Sequence, residues 1–119
     1  MKGTVFTGGR VLTGGALRET EVLVRSGRIA AIGGGLDRTG CEVVELAGNI
    51  LSPGFIDVHT HGGAGVDVNA AGYDGLCRLS AFFASQGVTG FLASILTDTV
   101  EGTERAIDSV CAFMEYTSG

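Results

Sequence analysis

The chain has 119 residues, 45% of them hydrophobic and 18% charged, with a formal net charge of −5; this suits one ordinary folded domain and excludes a disordered chain. Lys2 and seven arginines form no cluster, so neither a nucleic-acid backbone nor a membrane surface is expected as a partner. The opening MKGTVFTGGR lacks the apolar core of a secretory signal, and no run approaches the roughly 20 apolar residues of a membrane span.

In chain order, residues 1–51 predict short strands punctuated by glycine. TVFTG and RVLTG are brief β-rich stretches ended by Gly8-Gly9 and Gly14-Gly15, two turns rather than a repeat. EVLVRSGRIAAIG predicts a hairpin, Glu21 to Arg25 and Arg28 to Ile32 about a Ser26-Gly27 turn, with Val22 and Val24 alternating with polar neighbours. CEVVELAGN adds a strand from Glu42 to Leu46. Cys41, Cys77 and Cys111 are odd in number, widely spaced and outside any CxxC, the pattern of reduced, mostly buried thiols in a cytoplasmic protein.

After Pro53 the pattern changes. GFIDVH is a compact apolar strand. Tyr73, Leu76, Leu79, Phe82 and Phe83 recur at helical spacing between Ala71 and Gln86, and Gly87 stands at the C′ position. Val88 to Leu96 is a nearly continuous apolar run, as in a strand buried on both faces. Asp98 and Glu101 resemble a capping box ahead of a second helix whose inner face is Ile107, Val110, Cys111 and Met114. A β-rich part over 1–51 and a β-α-β-α part over 52–119 therefore emerge, the latter with parallel strands in a right-handed crossover. Two βα units cannot close an eight-stranded barrel, so the chain reads as the front of something longer.

His59 and His61 are the only histidines. In a strand, residues two apart point to one side at roughly 6.5 Å separation, close enough for two imidazoles to share an ion. Asp57 has the same parity; Ile56, Val58 and Thr60 face the other way. In a βα barrel the odd residues would point inward, the even ones would pack beneath helices, and the strand's C-terminal end would carry the active site. Neutral imidazoles with open coordination positions suit a catalytic divalent ion, with Zn, Fe, Mn, Co and Ni not distinguished. The competing reading is a chance HxH of surface or hydrogen-bonded histidines. Asp57 reads as a hydrogen-bonded structural acid, and Asp67 as a solvated or capping one. Gly62, Gly63 and Gly65 form either a loop approaching a ligand or a tight turn, and no phosphate-binding fingerprint is present. Phe82 and Phe83 read as helix-to-sheet packing. Ser85, Ser94 and Thr97 have no histidine left for nucleophilic catalysis once the pair binds metal.

LSPGFIDVHTHGGAGVDV resembles the metal-site signature of the amidohydrolase superfamily, and HGGAGVDV in particular is similar to the N-acetylglucosamine-6-phosphate deacetylase family. SQGVTGFLASILTDT resembles that family's second barrel strand and exit loop, and EVLVRSGRIAAIG the hairpin of the small β-domain before the barrel. The resemblance covers nearly the whole chain. It implies an α/β fold, the N-terminal part of a metal-dependent hydrolase: a small composite β-sandwich segment over 1–51, then the first two βα units of a truncated TIM (β/α)8 barrel over 52–119. It implies hydrolysis of N-acetylglucosamine 6-phosphate to glucosamine 6-phosphate and acetate by metal-activated water, with His59 and His61 as the first-strand metal ligands and a homodimer when full length. A glutamate ligand, two further histidines and the general acid/base aspartate belong to later strands in the family. No catalytic residue is therefore assigned within this chain, substrate contacts are unassigned, and a fragment without activity of its own is expected, poorly soluble because its strand edges are unpaired. The rivals are a D-aminoacylase or a cyclic amidase such as a dihydroorotase or hydantoinase and, from another class, a non-catalytic metal-binding or interaction module.

Overall fold

A computed structural model describes residues 2–117. They form two compact units, Met1–Pro53 and Gly54–Gly119.

In the first unit, period-2 alternation puts Val5, Val11 and Val22 inside, and Leu23 is also buried. Strand β1 (Gly3–Thr7) is followed by β2 (Arg10–Thr13), β3 (Ala16–Glu19), β4 (Glu21–Arg25), β5 (Arg28–Gly33), β6 (Cys41–Glu45) and β7 (Ile50–Leu51). They make two sheets, ordered β5-β4-β1-β6 and β3-β2-β7. The β4–β5 hairpin turns at Ser26 and Gly27, both at positive φ, 51° and 70°; this is the backbone that a two-residue type I′ turn demands. Two pairings are long-range and parallel, β1 with β6 and β2 with β7, and both join segments more than thirty residues apart. Strands β3 and β7 were not anticipated: β3 is exposed along its whole length and so shows no buried alternation, and β7 has only two residues.

The Glu21 carboxylate gathers the end of the larger sheet. It accepts hydrogen bonds from the Thr7 hydroxyl and the Leu36 N–H, each at 2.9 Å, and from the Arg38 guanidinium. The Leu36 N–H is the chief cause, followed by Arg38 and Thr7, of a carboxyl held below the usual glutamate range.

The second unit contains β8 (Phe55–Thr60), β9 (Gly62–Gly63), β10 (Val66–Asp67), α1 (Gly72–Ser85), β11 (Val88–Ala93) and α2 (Val100–Thr117). Strands β8 and β11 pair in parallel, Val88 opposite Phe55 and Ala93 opposite Thr60, and the chain crosses between them through α1. That helix ends as anticipated: the Gln86 and Gly87 N–H groups donate to Phe83 and Ala84 at 3.0 and 3.1 Å, with Gly87 at φ +80°. The core is Val68, Leu76, Leu79 and Phe83, flanked by Phe91, Ala93, Val110 and Phe113. The Phe83 and Phe91 rings meet at 5.1 Å and Phe91 and Phe113 at 6.2 Å between centroids, binding both helices to one face of β11. Complete burial of a leucine such as Leu76 or Leu79 stabilises by about 1.5–3 kcal/mol.

Several expectations are corrected. Strand β11 stops at Ala93, and Leu92 and Leu96 are exposed, so the run is not buried on both faces. Ile56 and Val58 do not pack beneath helices; they are 69% and 68% exposed, because the helices cover Phe91 and Ala93 instead. Phe83 is buried but its neighbour Phe82 is largely outside. On α2 the inward residues are Gly102, Ala106, Val110 and Phe113, whereas Ile107, Cys111 and Met114 face outward. The α2 cap is Thr99 rather than Asp98: the Gly102 N–H donates to the Thr99 hydroxyl at 3.0 Å, while the Asp98 carboxylate accepts the Thr99 N–H at 2.7 Å. None of the three thiols is fully buried; Cys41 and Cys77 are half-buried and Cys111 is exposed. Among the described residues no helix is long and apolar enough to cross a membrane.

Candidate metal centre

The site is built where β8 runs out. Thr60 is 7% exposed, and its hydroxyl lies 3.1 Å from the Gly62 carbonyl and 3.2 Å from the Gly62 nitrogen, a side-chain turn that folds the chain back sharply. Gly62 then takes φ +135°, and a Cβ there would stand 2.0 Å from the Val66 carbonyl oxygen. Ala64 and Gly65, at φ 49° and 78°, close the β9–β10 hairpin. The Val68 N–H donates to the His61 carbonyl at 2.9 Å and seals it. The glycine-rich segment is thus a tight hairpin that fixes the backbone of His61.

His59 closes β8's exposed face and His61 follows one residue beyond the strand. Their rings lie together, centroids 4.9 Å apart and edge-on at 90°, as the shared parity predicts. Asp57 is not drawn to them as a third donor: its carboxylate accepts the His59 backbone N–H at 3.1 Å, the local bond of a structural acid. The Asp67 carboxylate accepts the Asn69 N–H at 2.9 Å, a turn bond, and Asp67 borders an open cavity of about 420 Å³ beside His61, Gly62, Val66 and Leu96. Ser85 bonds the Phe82 carbonyl on the helix and stands apart from the histidines.

Ser94, read from the sequence only as a serine without a histidine partner, in fact touches both histidines. It follows β11 directly and continues its ladder, its N–H donating to the Thr60 carbonyl at 2.7 Å. Its carbonyl lies 2.9 Å from His61 Nδ1 and its hydroxyl 3.2 Å from His59 Nδ1. A carbonyl only accepts, so neutral His61 carries its proton on Nδ1 and keeps the Nε2 lone pair free. Asn69, which no sequence pattern singles out, clips the same loop: its amide accepts the Leu96 N–H at 2.9 Å and donates to the Leu96 carbonyl at 3.1 Å. The one available signal was a polar residue interrupting an apolar run, at FLASIL.

Two imidazoles side by side, each with Nδ1 facing Ser94, are donors of the kind that suit a divalent cation of intermediate softness. The fit is partial: among the described residues no group of three or more His, Cys, Asp or Glu side chains could hold a metal. The chain offers a pair of ligands, not a closed cage.

No protein-family model matches the chain. In sequence it is similar to an N-acetylglucosamine-6-phosphate deacetylase from Bos taurus, 35% identical over 88% of this chain and 27% of that protein. In structure it is similar to a mutant N-acetyl-D-glucosamine-6-phosphate deacetylase of Mycobacterium smegmatis in complex with N-acetyl-D-glucosamine-6-phosphate. That match has a TM-score of 0.83 and 29% identity, and it covers 98% of this chain and 30% of the other. A zinc complex of N-acyl-D-glutamate deacylase from Bordetella bronchiseptica aligns over 76% of the chain at 33% identity and TM-score 0.55, covering 18% of the enzyme. Sequence similarity to a D-hydantoinase from Geobacillus stearothermophilus and a dihydroorotase from Staphylococcus epidermidis extends over 44% of the chain. In structure a D-hydantoinase aligns over 93% of it at 28% identity and TM-score 0.66, covering 24% of that enzyme. The chain spans about a quarter of the length of the curated deacetylases it matches.

Proposed function

The chain is an amidohydrolase homologue related to the N-acetylglucosamine-6-phosphate deacetylases over 88% of its length, and we propose on that premise that His59 and His61 are two ligands of a divalent ion in a deacetylase-type active site. The reaction is hydrolysis of the acetamide of N-acetylglucosamine 6-phosphate to glucosamine 6-phosphate and acetate. The observation that carries this reading is the ring pair at the end of a parallel strand, centroids 4.9 Å apart, with both Nδ1 atoms engaged by Ser94. A divalent ion supplies Lewis acidity, polarising the carbonyl and acidifying water. The chain's own residues hold and orient: the Gly62 turn fixes His61, and β11 brings Ser94 beneath both rings.

The finer architecture belongs to the same proposal. Residues 1–51 form the small β-sandwich segment and 52–119 the first two βα units of a TIM barrel, with His59 and His61 at its mouth. The full-length enzyme is a cytoplasmic homodimer, a setting that suits three free thiols. The general acid/base aspartate and the remaining metal ligands belong to later strands of the full-length enzyme. D-aminoacylase, hydantoinase and dihydroorotase chemistry is the rival reading within the superfamily.

The test is metal analysis and turnover on the purified chain. Zinc binding at one ion per chain, lost in His59→Ala and His61→Ala, together with no acetate release from N-acetylglucosamine 6-phosphate, is expected. Unchanged zinc content in the double variant removes the metal reading. Hydrolysis of a hydantoin or dihydroorotate, with none of the amino-sugar, by a longer protein carrying this segment transfers the assignment to the rival.

A further inference from the structure

Ser94 meets both histidines with different atoms, and that asymmetry has a chemical consequence. Its carbonyl takes the Nδ1–H of His61 at 2.9 Å, and its hydroxyl lies 3.2 Å from Nδ1 of His59. The same hydroxyl is 3.5 Å from the Leu92 carbonyl, an acceptor toward which its own proton can point, leaving the oxygen to accept from His59. The residue is itself fixed on both sides. Its N–H is tied to Thr60 at 2.7 Å, and two residues later Leu96 is held by both ends of the Asn69 amide at 2.9 and 3.1 Å. A backbone held this firmly fixes where the Ser94 carbonyl and Cβ stand, and so the side from which Ser94 meets each ring.

We propose that Ser94 is the positioning residue of the histidine pair: it fixes both neutral rings as Nδ1–H tautomers, His61 through its carbonyl and His59 through its hydroxyl, so that both Nε2 lone pairs are presented to a divalent cation. The cation part of this statement rests on the function proposed above; the tautomer part does not. Ring nitrogens of a histidine are chemically distinct, and the bond made by one decides which of them is free to ligate.

With only two histidines in the chain, long-range proton–nitrogen correlation spectra of the metal-free 119-residue protein show two ring systems, assigned with His59→Gln. At about pH 8, above the ordinary imidazole range, both wild-type rings are expected as the Nδ1–H tautomer. Ser94→Ala removes the hydroxyl and keeps the carbonyl, so His59 shifts to a mixture containing the Nε2–H form while His61 stays as it was. Ser94→Thr, which retains a hydroxyl, keeps the wild-type pattern. Zinc affinity of Ser94→Ala falls about 10-fold, the lower end for loss of a ligand's hydrogen-bond partner.

A wild-type His59 in the Nε2–H form overturns the proposal without any variant, and so does a His59 signature unchanged in Ser94→Ala. Zinc that leaves both rings unmoved in the wild type, with the tautomer pattern as described, overturns the metal reading and leaves the Ser94 assignment standing.

Discussion

Replacing Gly62 by alanine tests how the site's backbone is built. The added Cβ would stand 2.0 Å from the Val66 carbonyl oxygen, 3.0 Å from its carbon and 3.2 Å from the Asp67 Cα. All three are backbone atoms, so no flexible side chain can give way. The oxygen contact is roughly 1.5 Å inside ordinary van der Waals separation. The hairpin must therefore open, and the bond from Val68 to the His61 carbonyl goes with it. A non-glycine residue at φ +135° costs about 1–3 kcal/mol, and the lost hydrogen bond about 1 kcal/mol more. The sum is on the order of 3 kcal/mol; with a urea slope of about 1.5 kcal/mol per molar, the unfolding midpoint falls by about 2 M. Both helices lie in the Gly54–Gly119 unit, so the helical circular dichroism signal reports on the unit that carries the change. Gly63→Ala is the control: its nearest neighbour would be the edge of the Phe82 ring at 3.4 Å, and a change within about 0.5 kcal/mol is expected. Equal midpoints for Gly62→Ala and wild type would refute the reasoning.

Thr99→Ala should cost α2 about 1 kcal/mol, the usual loss of an N-cap hydroxyl, while Glu101→Ala stays within about 0.5 kcal/mol; thermal melts of the helical signal decide, and the reverse ranking would restore a box built on Asp98 and Glu101. Glu21→Gln addresses pH. Because the folded carboxyl is held below its ordinary value of 4.5, its stabilisation is present above that value and is lost as pH falls through the lower folded value. Wild type should therefore lose stability in acid over this window and the variant less so, as read by urea unfolding at a series of pH values; parallel pH profiles would show that the Thr7, Leu36 and Arg38 bonds contribute nothing.

Local pattern carried a good deal of this protein. The β4–β5 hairpin needs only alternation and a Ser-Gly turn that tolerates positive φ, both contained in a dozen residues. Helix α1 was readable to within a residue at each end, because Gly87 permits the left-handed backbone that stops it. The side-by-side placement of His59 and His61 follows from strand parity alone, and the N-acetylglucosamine-6-phosphate deacetylase resemblance was visible in the residues around them. What escaped depends on neighbours distant in the chain. Helix α2 carries apolar residues on more than one side, and Phe91 together with α1, rather than periodicity, selects Ala106, Val110 and Phe113 over Ile107 and Met114. Ile56 and Val58 look like core residues until the helices are seen to cover β11 instead of β8. Ser94, thirty-three residues beyond His61, reaches the rings only because β11 lies parallel to β8 in a particular register. Hydrogen bonds at that sequence separation have no signature in a linear pattern; they exist only once the parallel register of β8 and β11 has brought Ser94 to the histidine rings.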